Sequence, residues 1–212
     1  MCHDYLPAAS ASLSRYQLDL PGFEYGEAFP GSTAPFLSSA APDRWLPGTF
    51  GLMPHWAPPT HYRKTYNARS ETVATLPSFR TAWKRRQFCV IPVDAFFEPH
   101  YASGRAIRYR IERVDGAPFG LAGIWEQRTR EDGTDWLSFS MLTINADAHP
   151  FMRQFHKPSD EKRSVVVLPD DTWRDWLTCP TTDAARLFLN DFDPTTMRTW
   201  PAPLAPRARK SA

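Results

Sequence analysis

The sequence is short of three things. Among its 212 residues are only three cysteines, Cys2, Cys89 and Cys179. They cannot all pair, and none stands in a CxxC or near a histidine at zinc-ligand spacing, so neither a disulfide scaffold nor a zinc module fits. No apolar run approaches the roughly 20 residues of a membrane span, which excludes a transmembrane helix. Charge of one sign is also missing: the formal net charge is +2, too little to announce a nucleic-acid binder by itself. The opening MCHDYLPAAS lacks the basic head and apolar core of a secretory signal, so a reducing cytoplasm is expected, or the nucleoid in a bacterium.

What is present reads as a globular domain, with 42% hydrophobic, 23% charged and 14% aromatic residues. A chain of this length removes roughly 70% of its unfolded surface from water and needs no covalent staples. No internal repeat is visible. Runs rich in β-branched and aromatic residues predict strands over Phe88–Val93, Ile107–Glu112, Phe119–Trp125, Leu137–Ile144 and Ser164–Leu168. Several alternate, as antiparallel strands do. Helices are predicted over Ser78–Arg86 with Ser78 as N-cap, over Asp171–Leu177 opened by Asp170 or Asp171, and over Asp183–Asn190. Strands and helices do not alternate regularly. The expected class is therefore α+β, a single domain on a curled, mostly antiparallel, barrel-like sheet with flanking helices. That domain is expected to span residues 2–193, with the proline-rich stretch 194–212 as an extended or disordered tail.

Charge distribution says more than net charge. From Arg63 to Arg86 there are seven cations and one acid, Glu71, which suits either a solvated basic face or a path for phosphates. Cys2 has its own chemistry. Once Met1 is removed it carries an α-amine beside its thiol, with reference pKa values of about 8 and 8.5. This 1,2-aminothiol condenses with an aldehyde through a Schiff base to a five-membered thiazolidine, which an internal cysteine cannot do. Incidental placement on a frayed terminus is the alternative. Cys89, in an apolar strand run, and Cys179, just past a helix end, read as packing residues. His156 precedes the charged run KPSDEKR at the entry to a core strand, a position suited to proton transfer over a pocket mouth or to plain exposure. Glu98 closes VDAFFE, where two aromatics can desolvate its carboxylate. Asn67, in YNARSET, offers an amide that can orient a substrate. In GLMPHW, Met53, Pro54 and Trp56 form a rigid wedge able to stack on bases, or else core filling.

Six segments occur in one order: the MC start, GLMPHW, YNARSET with PSFRTAWKRRQFCVIPVDAFFEP, PFGLAGIWE, SFSMLTINA, and the histidine loop before SVVVLP. In these the chain resembles the SRAP (SOS response-associated peptidase) family of abasic-site processing proteins, from Cys2 to about Leu168. A monomer is expected, and the resemblance implies a protein that binds single-stranded DNA containing abasic sites and links Cys2 to the ring-opened aldehyde, with removal of Met1 and an associated lyase activity. It further implies that Asn67 holds the cysteine and the opened sugar, that Glu98 acts as acid and base, and that His156 assists ring opening. Arg69 of the NAR motif would contact phosphate, with Arg80, Arg85 and Arg86 as additional DNA contacts. No metal or organic cofactor is called for, since aldehyde and aminothiol condense with proton transfers alone. A thiol peptidase using Cys2 with His156, and a non-covalent single-strand binder, are the competing readings.

The chain departs from the family pattern in three places. The usual Cys-Gly-Arg-Phe becomes Cys2-His3-Asp4-Tyr5, and Asp4 predicts repulsion of a nearby phosphate. Pro99 follows Glu98 where the family has tryptophan. The histidine loop reads HKPSDEKRSVVV, longer than the commoner His-x-Arg-Met-Pro form, and His149 lies too early to substitute for His156.

Overall fold

The computed structural model describes residues 2–9, 25–130 and 132–204. Eleven strands are joined in one sheet: β1 (Asp4–Pro7), β2 (Thr33–Ser38), β3 (Ala41–Phe50), β4 (Asn67–Arg69), β5 (Phe88–His100), β6 (Ile107–Arg113), β7 (Phe119–Thr129), β8 (Asp135–Asn145), β9 (Arg163–Val165), β10 (Val167–Leu168) and β11 (Met197–Pro201). Five of them close a ring in the order β7–β8–β3–β2–β5 and back to β7. All pairings in the ring are antiparallel except β3 with β8. The α+β class and the barrel-like, mostly antiparallel sheet are as the strand alternation predicts.

That alternation divides the core in two. Along β5, Cys89, Ile91 and Val93 point into the barrel with Phe36, Phe50, Leu121, Phe139 and Met141. Phe88 and Val90 point outward, with Ala122, Ile124 and Leu142, beneath Trp83 and Trp176. The outer layer is carried by three one-turn helices: α1 (Arg80–Lys84), α2 (Trp173–Leu177) and α3 (Thr182–Arg186). Trp176 fastens α2 to the barrel, donating its indole N–H to the Cys89 carbonyl at 2.9 Å. Gly120 lets α2 approach: a Cβ there would lie 2.5 Å from the Trp173 ring.

All three helices are shorter than their sequence pattern predicts, and their caps differ. Ser78 does not cap α1, because its hydroxyl pairs with His61 Nε2 at 2.9 Å and the helix starts after Phe79. Neither Asp170 nor Asp171 caps α2; Asp170–Thr172 forms a 3₁₀ turn that feeds into it. The cap of α3 is Thr181, which accepts from Ala184 N at 3.0 Å, and the chain beyond Arg186 tightens into i→i+3 bonds instead of continuing as α-helix. Strands differ too. β5 runs seven residues beyond Val93, so Glu98 lies within a strand and not at its end. The segment from Pro194 opens with a 3₁₀ turn and then adds β11 to the edge of β6, so ordered structure extends past residue 193 to Leu204. The rest of the expected tail, 205–212, is outside the described residues.

Candidate functional site

β1 lies antiparallel to β5 with Asp4 opposite Phe97 and Tyr5 opposite Phe96, which sets Cys2 at one mouth of the barrel beside Glu98. Cys2 is 1% exposed, and its thiol donates to the Asp4 carbonyl at 3.4 Å. Burial pushes the thiol pKa well up, and the nearby charges of Glu98 and Asp4 push it further. β4 runs parallel to β8 with Asn67 opposite Met141, so the Asn67 side chain enters the same mouth. Its Nδ2 donates to the Cys2 carbonyl at 2.7 Å, while its Oδ1 is buried with no partner among the described residues.

Glu98 is 1% exposed, and His156 Nε2 lies 2.8 Å from its Oε2. The histidine is placed by its backbone. Its φ of 63° is unusual for a residue with a Cβ, and its N–H donates to the Pro99 carbonyl at 2.7 Å. Phe155 forms a bridge to His100 one residue earlier, so the histidine loop is tied to β5 immediately after the glutamate. The structure thus brings Cys2, Asn67, Glu98 and His156 together. His149 is elsewhere in use, its Nδ1 accepting from Phe151 N at 3.1 Å.

A cleft of about 270 Å³ opens here, lined by His3, Asp4, Glu98, Pro99 and Arg108 among others. The phosphate repulsion expected from Asp4 is offset by a residue the sequence did not single out. Arg108 on β6 donates through Nε to Asp4 Oδ2 at 2.6 Å, pairs with Glu27, stacks 3.3 Å over the Phe97 ring and donates to the Ala202 carbonyl at 2.9 Å. Burial raises the Asp4 carboxyl pKa, and the Arg108 guanidinium pulls against that. Tyr66 was missed as well. Its ring meets His3 edge-on at 5.5 Å, and burial followed by the charges of Cys2 and Glu98 raises its hydroxyl pKa. The clue in the sequence was its position directly before Asn67.

A third missed feature is an ionic network beneath Arg69. Arg163, 2% exposed, donates to both Glu71 oxygens at 2.9 Å, to Glu161 at 2.8 Å and to the Thr143 carbonyl at 2.8 Å. Burial raises the Glu71 carboxyl, but hydrogen bonds and charge from Arg163 outweigh it and hold the group down at about 2. Arg69, half-exposed, donates to the other Glu161 oxygen at 2.9 Å. The network therefore joins the NARSE segment to the histidine loop.

The wedge is smaller than GLMPHW suggests. Met53 and Pro54 are buried, and Met53 N donates to Ser138 Oγ at 2.9 Å. Gly51, at φ 116°, lets Tyr62 pack against the loop from the other side and turns the Met-Pro pair inward. Only Trp56, 52% exposed and edge-on to His61 at 5.2 Å, keeps a face for stacking. Arg80 and Arg85 are exposed on and after α1, whereas Arg86 donates its guanidinium to the Pro180 carbonyl. Cys89 and Cys179 are buried, as packing residues are.

Comparison with known proteins gives one family. The model described as SOS response associated peptidase (SRAP) matches residues 22–204. The abasic site processing protein YoaM of Bacillus subtilis is 31% identical over 130 residues, which is 60% of this chain and 54% of that protein. Abasic site processing protein YoqW of Bacillus phage SPbeta is 29% identical over 136 residues, 63% of this chain and 57% of that one. The matches thus span little more than half the length of these relatives. A crystal structure from Bordetella bronchiseptica is 34% identical with a TM-score of 0.87, covering 96% of this chain and all of that one. Another, from Bacteroides thetaiotaomicron, shares the fold at 20% identity and a TM-score of 0.78, over 94% of this chain and 91% of that one.

Proposed function

Because the chain belongs to the SOS response-associated peptidase family, we propose that it processes abasic sites in single-stranded DNA by forming a covalent link through Cys2. The names of the Bacillus relatives support abasic-site DNA as the substrate. The observation that carries the covalent step is the 2.7 Å hydrogen bond from Asn67 to the Cys2 carbonyl, which fixes the N-terminal residue beside the buried Glu98–His156 pair.

The chemistry begins with hydrolysis of the Met1–Cys2 bond, which consumes one water and frees the α-amine. The amine adds to the C1′ aldehyde of the opened sugar. Loss of water, with a proton supplied by the Glu98–His156 pair, gives the imine. The thiol sulfur then bonds to C1′ and its proton passes to nitrogen, closing the thiazolidine, so that the condensation releases the one water that the hydrolysis consumed. A thiol held protonated by burial suits this order, because the amine reacts first and the sulfur adds with its proton still to give. The same imine acidifies the C2′ proton, which is the route to strand cleavage by β-elimination. In this reading Arg69 is a phosphate contact and Trp56 a stacking face for a base. The thiol-peptidase reading is weaker because His156 Nε2 is directed to Glu98 and not to the thiol.

The test is the intact mass of purified protein before and after incubation with a short single strand carrying one abasic site, followed by denaturing electrophoresis. Expected are loss of Met1 and a denaturant-stable adduct that Cys2→Ala abolishes. Binding that disappears on denaturation and survives Cys2→Ala would refute the covalent reading in favour of a non-covalent binder. Slight hydrolytic activity retained in Cys2→Ser, with no adduct in the native protein, would favour the peptidase.

A further inference from the structure

Outside the Cys2 mouth, a groove of about 810 Å³ runs between α1 and α3, lined by Arg80, Lys84, Arg85, Trp83, Asp183 and Arg186 among others. Four cations face it and one acid. Seven arginines outside the groove, Arg69, Arg108, Arg110, Arg113, Arg163, Arg174 and Arg198, each meet a carboxylate. Among the described residues no carboxylate pairs with Arg80, Lys84, Arg85 or Arg186. Arg80 and Lys84 are one turn apart on the same face of α1. Arg186 is fixed in place, its guanidinium 5.4 Å from the Trp83 ring centroid and donating to the Ser70 carbonyl at 3.2 Å. Ser70 follows Arg69 directly, and the chain reaches the groove wall at Ala74. Through Arg186 the groove wall is therefore tied to the residue that follows the proposed phosphate contact of the reactive site.

We propose that this groove is a second backbone-binding site, which holds phosphates of the single-stranded DNA flanking the reactive nucleotide through Arg80, Lys84, Arg85 and Arg186. The inference rests on the function proposed above and extends it, since it predicts a footprint longer than the Cys2 mouth alone would give. Unpaired cations in a concave wall suit a polyanion: each phosphate bound there releases counterions without first breaking an internal ion pair. Arg86 takes no part, because its guanidinium is already on Pro180.

The probe is a fluorescent thymidine oligomer with one central tetrahydrofuran residue, which lacks the aldehyde and reports binding without a covalent step. Lengths of 6 and 20 nucleotides are compared between 50 and 200 mM salt. The variant is Arg80→Gln/Lys84→Gln, which removes two exposed charges and no buried contact. Each phosphate contact on a single strand contributes about 0.7 to the log–log salt slope, so losing two lowers it by about 1.4. Over this fourfold salt range the native protein should therefore lose about 7-fold more affinity for the 20-mer than the variant does, and the two should agree on the 6-mer. An unchanged slope on the 20-mer overturns the groove. Native protein with an aldehyde-bearing strand is run alongside. A denaturant-stable adduct with an unchanged slope would sink the groove alone, a changed slope without any adduct would sink the covalent reading alone, and no binding at all would sink both.

Discussion

Arg163→Met tests whether the ionic network beneath Arg69 holds the histidine loop in place. The substitution keeps an unbranched apolar stem and deletes the guanidinium. In the native protein that group makes two bonds to Glu71, one to Glu161 and two to Thr143, at its carbonyl and its hydroxyl, while being 2% exposed itself. Breaking a buried pair typically costs about 3–5 kcal/mol. Here the acids are 48% and 37% exposed and regain water when the arginine goes, so the cost drops below that range and we expect about 2–3 kcal/mol. With a urea m-value of about 2.5 kcal/mol per molar, the midpoint should fall by about 1 M in denaturation followed by tryptophan fluorescence. The pH dependence gives a second readout. Glu71 has its folded pKa depressed from 4.5 to about 2, so its contribution is fully present above pH 4.5 and is lost as pH falls through about 2. Half-exposed, it contributes on the order of 1 kcal/mol after screening. Stability of the native protein should fall more steeply than that of Arg163→Met below pH 4.5. A midpoint shift under 0.2 M, with parallel pH curves, would refute the idea that this network clamps the loop.

Glu98→Gln keeps the shape of the buried pair but removes its exchangeable carboxylate. Adduct formation should slow by about 10²–10⁴-fold at saturating DNA, measured by quenched gel time courses, with binding to a tetrahydrofuran oligomer unchanged; a rate within threefold of native would remove Glu98 from the chemistry. Gly120→Ala should destabilise by about 1–3 kcal/mol, because the new Cβ falls 2.5 Å from the Trp173 indole. Thermal unfolding checks this, and no loss of stability would mean that α2 is free to shift.

The barrel was legible because alternation is a local signal: FCVIPV sends Cys89, Ile91 and Val93 inward and Phe88 and Val90 outward, and the sequence shows that period directly. Cys2, Asn67, Glu98 and His156 each left a plain alternative open when read singly, and only the six segments in family order joined them into one site. Residues that act through distant partners were not legible. Arg108 reads as one cation in IRYRIER, and only the pairing of β1 and β6 on either side of β5 makes it the counterion of Asp4. Met53 and Pro54 looked exposed because a Pro-containing loop resembles surface, and Gly51 with Tyr62 turns it inward. β11 was hidden for the opposite reason: its composition resembles a tail, and it is a strand because an edge of β6 was available to pair with it.

Arg108 also has a consequence for maturation. Its guanidinium reaches 104 positions back to Asp4 and 94 positions forward to Ala202. Contacts of such sequence separation form late, after hairpins such as β7–β8 have closed. The Ala202 carbonyl is therefore a late addition to a counterion that Asp4, Glu27 and the Phe97 ring already hold. A clipped chain lacking residues 197–204 would keep Cys2 in place through the β1–β5 pairing and Asn67, and would lose one of the contacts that hold Arg108 over Asp4.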